Sequence, residues 1–208
     1  MSAASVANKE VAYRNLFSKL SPQTPQMVFD GKQVPPSVLP GFAKFQGMEK
    51  LSLIDCNLWS LEGMPRLPNL RVLMLGDNHL EDLSLIPACF PNLEKLSIVG
   101  NKLGHRDELE PLTRLPKLRA LDVEGNELCE IRGHDRWMVD TFPRVKRFII
   151  TAYDVDSDEE DNDDISWFLS DEAMDADNEN EEDTDTEDDE GFVFDGPGKS
   201  VPEVITID

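Results

Sequence analysis

Between Met48 and Ile131 the chain repeats one pattern of apolar residues at fixed offsets. It reads Met48-x-x-Leu51-x-Leu53-x-x-Cys56-x-Leu58-x-x-Leu61, then Leu70-x-x-Leu73-x-Leu75-x-x-Asn78-x-Leu80-x-x-Leu83. Leu93-x-x-Leu96-x-Ile98-x-x-Asn101-x-Leu103 follows, and Leu118-x-x-Leu121-x-Val123-x-x-Asn126-x-Leu128-x-x-Ile131 closes the set. The starting residues step by 22, 23 and 25 positions. A unit this short cannot bury its own leucines, so consecutive units must stack into a solenoid whose two ends need caps.

The pattern L-x-x-L-x-L-x-x-N/C-x-L is that of the leucine-rich repeat, and each of its places has a physical task. The L-x-L alternation suits a short strand with leucines in the core and the intervening side chains on a concave face. An amide at the ninth place both donates and accepts, and so can satisfy backbone groups where the chain leaves the strand. Cys56 holds that place in the first full repeat, and a thiol is a small, weak donor. Leu67-Pro68, Phe90-Pro91, Leu115-Pro116 and Phe142-Pro143 each put a proline two residues before the next repeat. Proline there keeps the preceding segment from running into the strand as a helix. The expected fold is α/β: a curved parallel sheet on the concave face, a helical or irregular convex side, and a disordered acidic tail.

Charge divides the chain. Residues 1–153 hold 18 acidic and 19 basic residues, whereas residues 154–208 hold 24 acidic residues against Lys199 alone. A segment so charged cannot bury enough apolar surface to offset its ordering entropy, so disorder is expected over 154–208. Residues 1–23 are expected as a helical cap, with Val11, Leu16, Phe17 and Leu20 at helical spacing. Residues 24–153 form the repeat domain. It includes a degenerate first strand with Met27 and Phe29 inward, and a connection from Val34 to Pro40 that looks too proline-dense for helix. A last helical turn lies near Asp135–Phe142, and a final strand at Val145-x-x-Phe148-x-Ile150. Cys56, Cys89 and Cys129 are odd in number and far apart, which points to free thiols in a reducing compartment. No apolar run has the length of a signal peptide core or a membrane span.

The third, fifth and seventh places of each repeat should line the concave face. Lys50, Val72, Lys95 and Arg147 hold third places, and Ser52, Met74, Ser97 and Asp122 hold fifth places. Ile54, Val99 and Glu124 hold seventh places. An apolar middle of Ile54, Val72, Met74 and Val99 beside basic spots suggests a protein-docking surface. Nucleic acid is not expected as a direct ligand, because the domain is near neutral and the tail repels phosphates. In the tail, clustered carboxylates suit a basic partner, and Trp167, Phe168, Phe192 and Phe194 could anchor against it. Ser157, Thr184 and Thr186 have acids downstream, as acidophilic kinases prefer. Asp154, Asp156 and Asp158 begin like a calcium loop, but Glu159 stands where glycine is required. Val204-Ile205-Thr206-Ile207 has the pattern of a strand that adds to a sheet edge, as in SUMO-interacting motifs. Short β-rich ends also arise by chance, and no partner is assigned to this one. The three histidines are scattered and no phosphate loop occurs, so no catalytic site, metal or cofactor is expected.

A short-repeat solenoid, a C-terminal cap and a long acidic tail together resemble the acidic leucine-rich nuclear phosphoprotein 32 family. The cap carries the most specific part of the likeness, in Arg136, Val139, Pro143 and the strand from Val145. The repeats alone also suit the U2 small nuclear ribonucleoprotein A-prime type. The resemblance implies a monomeric, non-enzymatic binder of histones or other basic proteins. It also implies chaperone activity or inhibition of a protein phosphatase. With Lys199 as the tail's single base, no basic import signal is evident, and residence in both nucleus and cytoplasm is expected.

Overall fold

Alternating leucines in each repeat translate into one short strand per repeat. The computed structural model describes residues 3–149 together with 205 and 206. The four full repeats give β2 (Lys50–Ser52), β3 (Val72–Met74), β4 (Lys95–Ser97) and β5 (Ala120–Asp122). The degenerate repeat before them gives β1 (Gln26–Val28), and the cap gives β6 (Arg147–Ile149). Neighbouring strands pair in parallel, and their middle residues form one inward row: Met27, Leu51, Leu73, Leu96, Leu121 and Phe148. All of this row but Phe148 is fully buried. The described residues fall within one compact unit of residues 1–156 and 204–208, while a second unit, 157–203, lies outside the description.

The ninth-place asparagines link one coil to the next. Asn78 Oδ1 accepts from the Cys56 and Leu58 amides at 3.1 and 2.9 Å. Its Nδ2 donates to the carbonyls of Leu53, Leu75 and Gly76 at 2.8–3.0 Å. Asn101 accepts from the Leu80 amide and donates to Leu75, Ile98 and Val99. Asn126 repeats the arrangement with Leu103 as donor and Ile98, Val123 and Glu124 as acceptors. Cys56 has only its thiol to give, directed at the Phe29 and Ile54 carbonyls at 3.3 and 3.4 Å. Burial pushes that thiol up to about 12, with the charges of Asp30 and Asp55 acting in the same direction. It is a structural neutral thiol.

Just before each of these residues the backbone turns left-handed, at Asp55, Asp77, Gly100 and Gly125 (φ between 52 and 67°). Aspartate tolerates this region better than most side chains, and glycine enters it without cost. Gly100 is doubly constrained, because a β-carbon there would lie 2.6 Å from Asp77 Oδ1. The prolines also find a defined task. The amides of Leu70, Leu93 and Val145 donate to the carbonyls of Leu67, Phe90 and Phe142. Each proline is therefore the second residue of a four-residue turn, where its fixed φ is favourable. Asn69 and Asn92, directly after two of these prolines, donate to the Gln46 and Pro68 carbonyls at 2.8 Å.

The convex side carries short helices. 3₁₀ segments span Pro36–Lys44, Arg106–Arg114 and Glu127–Glu130, and α2 spans Ile86–Cys89. The first of these corrects the expectation that the proline-dense connection is non-helical. Pro36 sits at the first position, where no amide is needed, and the segment buries Val38, Leu39 and Phe42. At the N-terminal end α1 (Ala3–Lys19) covers the stack through Phe17. Its ring lies 5.1 Å from Phe42 and 5.2 Å from Phe45. Tyr13 joins the cluster at 5.7 Å from Phe29, whereas Val11 faces solvent, contrary to the spacing argument. Lys44 Nζ donates to the Phe17 and Leu20 carbonyls at 2.6 and 2.7 Å and so satisfies the helix end.

At the other end, α3 (His134–Thr141) buries Met138, with Phe142 and Val145 following. Of the residues that carry the cap's likeness, Val139 is exposed and Arg136 makes only an exposed ion pair with Asp140 at 3.9 Å. His134 is buried against Trp137, and neither ring nitrogen has a hydrogen-bond partner. Burial lowers its pKa; Asp135 opposes this and the Arg106 charge adds to it.

Three expectations follow. Leu75 is completely buried, so Leu75→Ala should cost about 2–5 kcal/mol in urea unfolding. Asn101→Ala should cost roughly 1–3 kcal/mol, because it strands the buried Leu80 amide and takes one donor from each of the Leu75, Ile98 and Val99 carbonyls. The unfolded chain takes up a proton at His134 more readily than the folded one. The C-terminal cap should therefore hold its full stability above pH 6.5 and lose it as pH falls below that value. Thermal midpoints of wild type and His134→Phe across about pH 5–8 test this, the variant losing the acid-side decline.

Candidate protein-binding surface

In a parallel, in-register sheet every second side chain faces one side, so the third and fifth places form continuous rows across the strands. The third-place row runs Gln26, Lys50, Val72, Lys95, Ala120, Arg147. The fifth-place row runs Val28, Ser52, Met74, Ser97, Asp122, Ile149. Gln26 and Val28, from the degenerate repeat, extend the rows beyond the residues picked from the sequence. In the seventh-place row, Gly76 leaves a gap: a β-carbon there would meet the Ile54 side chain at 3.8 Å.

Exposure departs from expectation. Val72 and Met74 were expected as an open apolar patch, yet each is only 3% exposed. Ser52, Lys95, Ser97 and Asp122 are buried with them. Strands about 4.8 Å apart set each side chain between two neighbours of its own row, which shields it on both sides. The accessible part of the surface consists of half-buried Lys50, Ile54, Val99 and Glu124, with exposed Arg147 at one end. None of Lys50, Lys95, Glu124 and Arg147 is a free charge.

Polar side chains on this face are satisfied locally. At the N-terminal end, Asp30 Oδ1 accepts from Ser52 Oγ at 2.6 Å and from the Ile54 amide at 3.0 Å. Further along, Ser97 Oγ donates to Asp122 Oδ2 at 3.3 Å, and the Glu124 amide donates to Asp122 Oδ1 at 3.3 Å. Burial nevertheless pushes the Asp122 carboxyl up to about 6, against the pull of those two donors. Beside the rows, Arg71 holds Glu94 through two contacts at 3.0 and 3.2 Å. Only the Arg71 side chain of that pair is substantially exposed.

One exposed aromatic lies outside the repeat pattern. Trp59 is 65% exposed and its ring lies 4.5 Å from His79, whose Nε2 is 3.2 Å from Asn57 Oδ1. Its signal was a large aromatic between Leu58 and Leu61, at a place that faces outward. The tail anchors Trp167, Phe168, Phe192 and Phe194 lie outside the described residues, as do Ser157, Thr184 and Thr186. Among the described residues no group of His, Cys, Asp or Glu is arranged to hold a metal ion. No described helix is long and apolar enough to cross a membrane.

Asp122 gives a prediction with a definite sign. Its folded pKa is raised, so its contribution is fully present below the unfolded value of 3.8 and is lost as pH rises through about 6. Asp122→Asn keeps the shape and removes the buried charge. It should stabilise the protein at about pH 7–8 by about 1–2 kcal/mol and leave it unchanged at about pH 4, as read by denaturant unfolding.

A family model for leucine-rich repeats (two copies) matches residues 68–112. Acidic leucine-rich nuclear phosphoprotein 32-related protein 2 of Caenorhabditis elegans is 35% identical over 120 residues, covering 56% of this chain and 52% of that protein. Acidic leucine-rich nuclear phosphoprotein 32 family member A of Drosophila melanogaster is 29% identical over 120 residues, covering 58% of this chain and 45% of that protein. The chain thus spans about half the length of the curated relatives it matches. Among solved structures, a chain of the Drosophila melanogaster SNF/U2A′ complex is 22% identical, with a TM-score of 0.49 over 62% of this chain and 72% of that one. The repeats, the parallel sheet they build and these relatives make the chain a leucine-rich-repeat solenoid protein, similar in sequence to the acidic leucine-rich nuclear phosphoprotein 32 family.

Proposed function

We propose that this protein is a non-enzymatic, protein-binding scaffold of the nucleus and cytoplasm that shields histones or similar basic proteins. The observation that carries the reading is the segregation of charge. A near-neutral repeat domain is joined to a segment, residues 154–190, with 21 acidic residues and no Lys or Arg. At physiological salt the screening length is about 8 Å, so carboxylates at this density act together on a cationic surface. Trp167, Phe168, Phe192 and Phe194 add apolar anchors that a merely solubilising bristle would not need. Nuclear residence is supported by the names of the relatives. The concave face, through Lys50, Ile54, Val99, Glu124 and Arg147, serves a second protein; a phosphatase held there is the competing reading.

A salt titration of core-histone affinity tests this on full-length chains. Replacing the acids of 154–190 with their amides should abolish the salt-sensitive part of binding. Fully burying one aromatic side chain contributes roughly 1.5–3 kcal/mol. Trp167→Ala/Phe168→Ala or Phe192→Ala/Phe194→Ala should therefore cost about tenfold or more in affinity, and the loss should persist at high salt. Histone binding that survives amide replacement unchanged would remove the acidic segment from the mechanism. Phosphatase inhibition sensitive to Lys50→Glu but not to amide replacement would favour the competing reading.

A further inference from the structure

The two outermost strands of an open sheet carry unpaired N–H and C=O groups that invite another strand. At one edge of this solenoid the outermost strand is β6. At the other it is not β1: Ile205–Thr206 forms β7, and the sheet order is β6-β5-β4-β3-β2-β1-β7. β7 pairs with β1 in parallel, Met27 opposite Ile205 and Val28 opposite Thr206. β1 pairs with β2 in the same sense, so β7 takes the place a further repeat would occupy. The local sequence suits that place. Val204-Ile205-Thr206-Ile207 is the one run of four consecutive β-branched residues in the chain. Such residues favour extended backbone.

Topology gives this short strand a consequence. β6 ends at Ile149 and β7 begins at Ile205, at opposite edges of one sheet. Six strand spacings separate them, roughly 29 Å at about 4.8 Å each. In sequence, residues 150–204 separate the two strands, far more chain than that distance requires.

We propose that the outer edge of β1 is a strand-acceptance site whose occupant is the chain's own Ile205–Thr206, held in parallel with Met27–Val28. A two-residue ladder is short enough to open, and opening bares the β1 edge. The site is defined by backbone pairing, and it stands whether or not histones prove to be the partner.

Disulfide trapping in the full chain tests the register, in a Cys129→Ser background that leaves only the two buried native thiols. Opposed residues on neighbouring strands are about 4.8 Å apart, within the span of a disulfide. Val28→Cys/Thr206→Cys should close an intrachain disulfide at least about tenfold faster than Val28→Cys/Ser200→Cys, a gap of about 1.4 kcal/mol or more. The control cysteine lies on the same segment but out of register. Adding Ile205→Gly and Ile207→Gly should erase the difference, because glycine weakens a strand without touching either cysteine. Equal closure rates for the two pairs would overturn the proposal, as would a rate that ignores the glycine changes. A covalent dimer as the main product in dilute solution would also overturn it, by making a second copy the occupant.

Discussion

The primary amides of Asn78, Asn101 and Asn126 are the interaction on which this solenoid depends. Each repeat must turn sharply out of its strand, and a sharp turn leaves buried amides and carbonyls that no strand or helix can pair. Asn78 and Asn101 each bond to the neighbouring coil and to their own, so every turn is satisfied only when the next coil is present. This converts a local motif into a stacking requirement. The inward leucines supply the driving force for burial, but leucine packing alone tolerates many registers. The amides accept one register, because their partners are backbone groups at fixed spacing.

The same logic explains the ends and the edges. Where no further repeat follows, apolar groups from outside the pattern take over. Phe17 and Tyr13 close one end with the Phe29, Phe42 and Phe45 rings. Met138, Phe142 and Trp137 close the other. Neither end has an asparagine ladder, and both rely on aromatic area and on single polar devices such as Lys44 at the end of α1. Edges are a separate problem from ends, since caps cover side chains and not the ladder groups of the outermost strand. A borrowed strand at β1 meets that need with two residues from the far end of the chain.

Much of this was legible beforehand, for a definable reason. Repeat spacing, the ninth-place amides and the rows of the concave face depend on offsets within one repeat, and those offsets are visible in a linear sequence. Val72 and Met74 show where such legibility stops. Their places in the rows were correct, yet their accessibility depends on what neighbouring residues do, and that is not encoded in an offset. Val11 fails similarly: it fits an apolar pattern, and it faces solvent because Tyr13 packs against the core instead.

By itself the sequence determined the periodic part: a parallel sheet of stacked repeats, the identity of its core row, and the charge division at residue 154. These follow from spacing and composition, which act locally or in sum. Tertiary structure decided what lies between distant segments. It made a 3₁₀ helix of the proline-rich connection by giving Leu39 and Phe42 a core to enter. His134 was buried by it without a partner, and a carboxyl was raised at Asp122. Ile205–Thr206 was set beside Met27 and Val28, a pairing across most of the chain's length. Short β-branched runs are common, and only a sheet edge with unpaired backbone groups distinguishes one that pairs from one that does not.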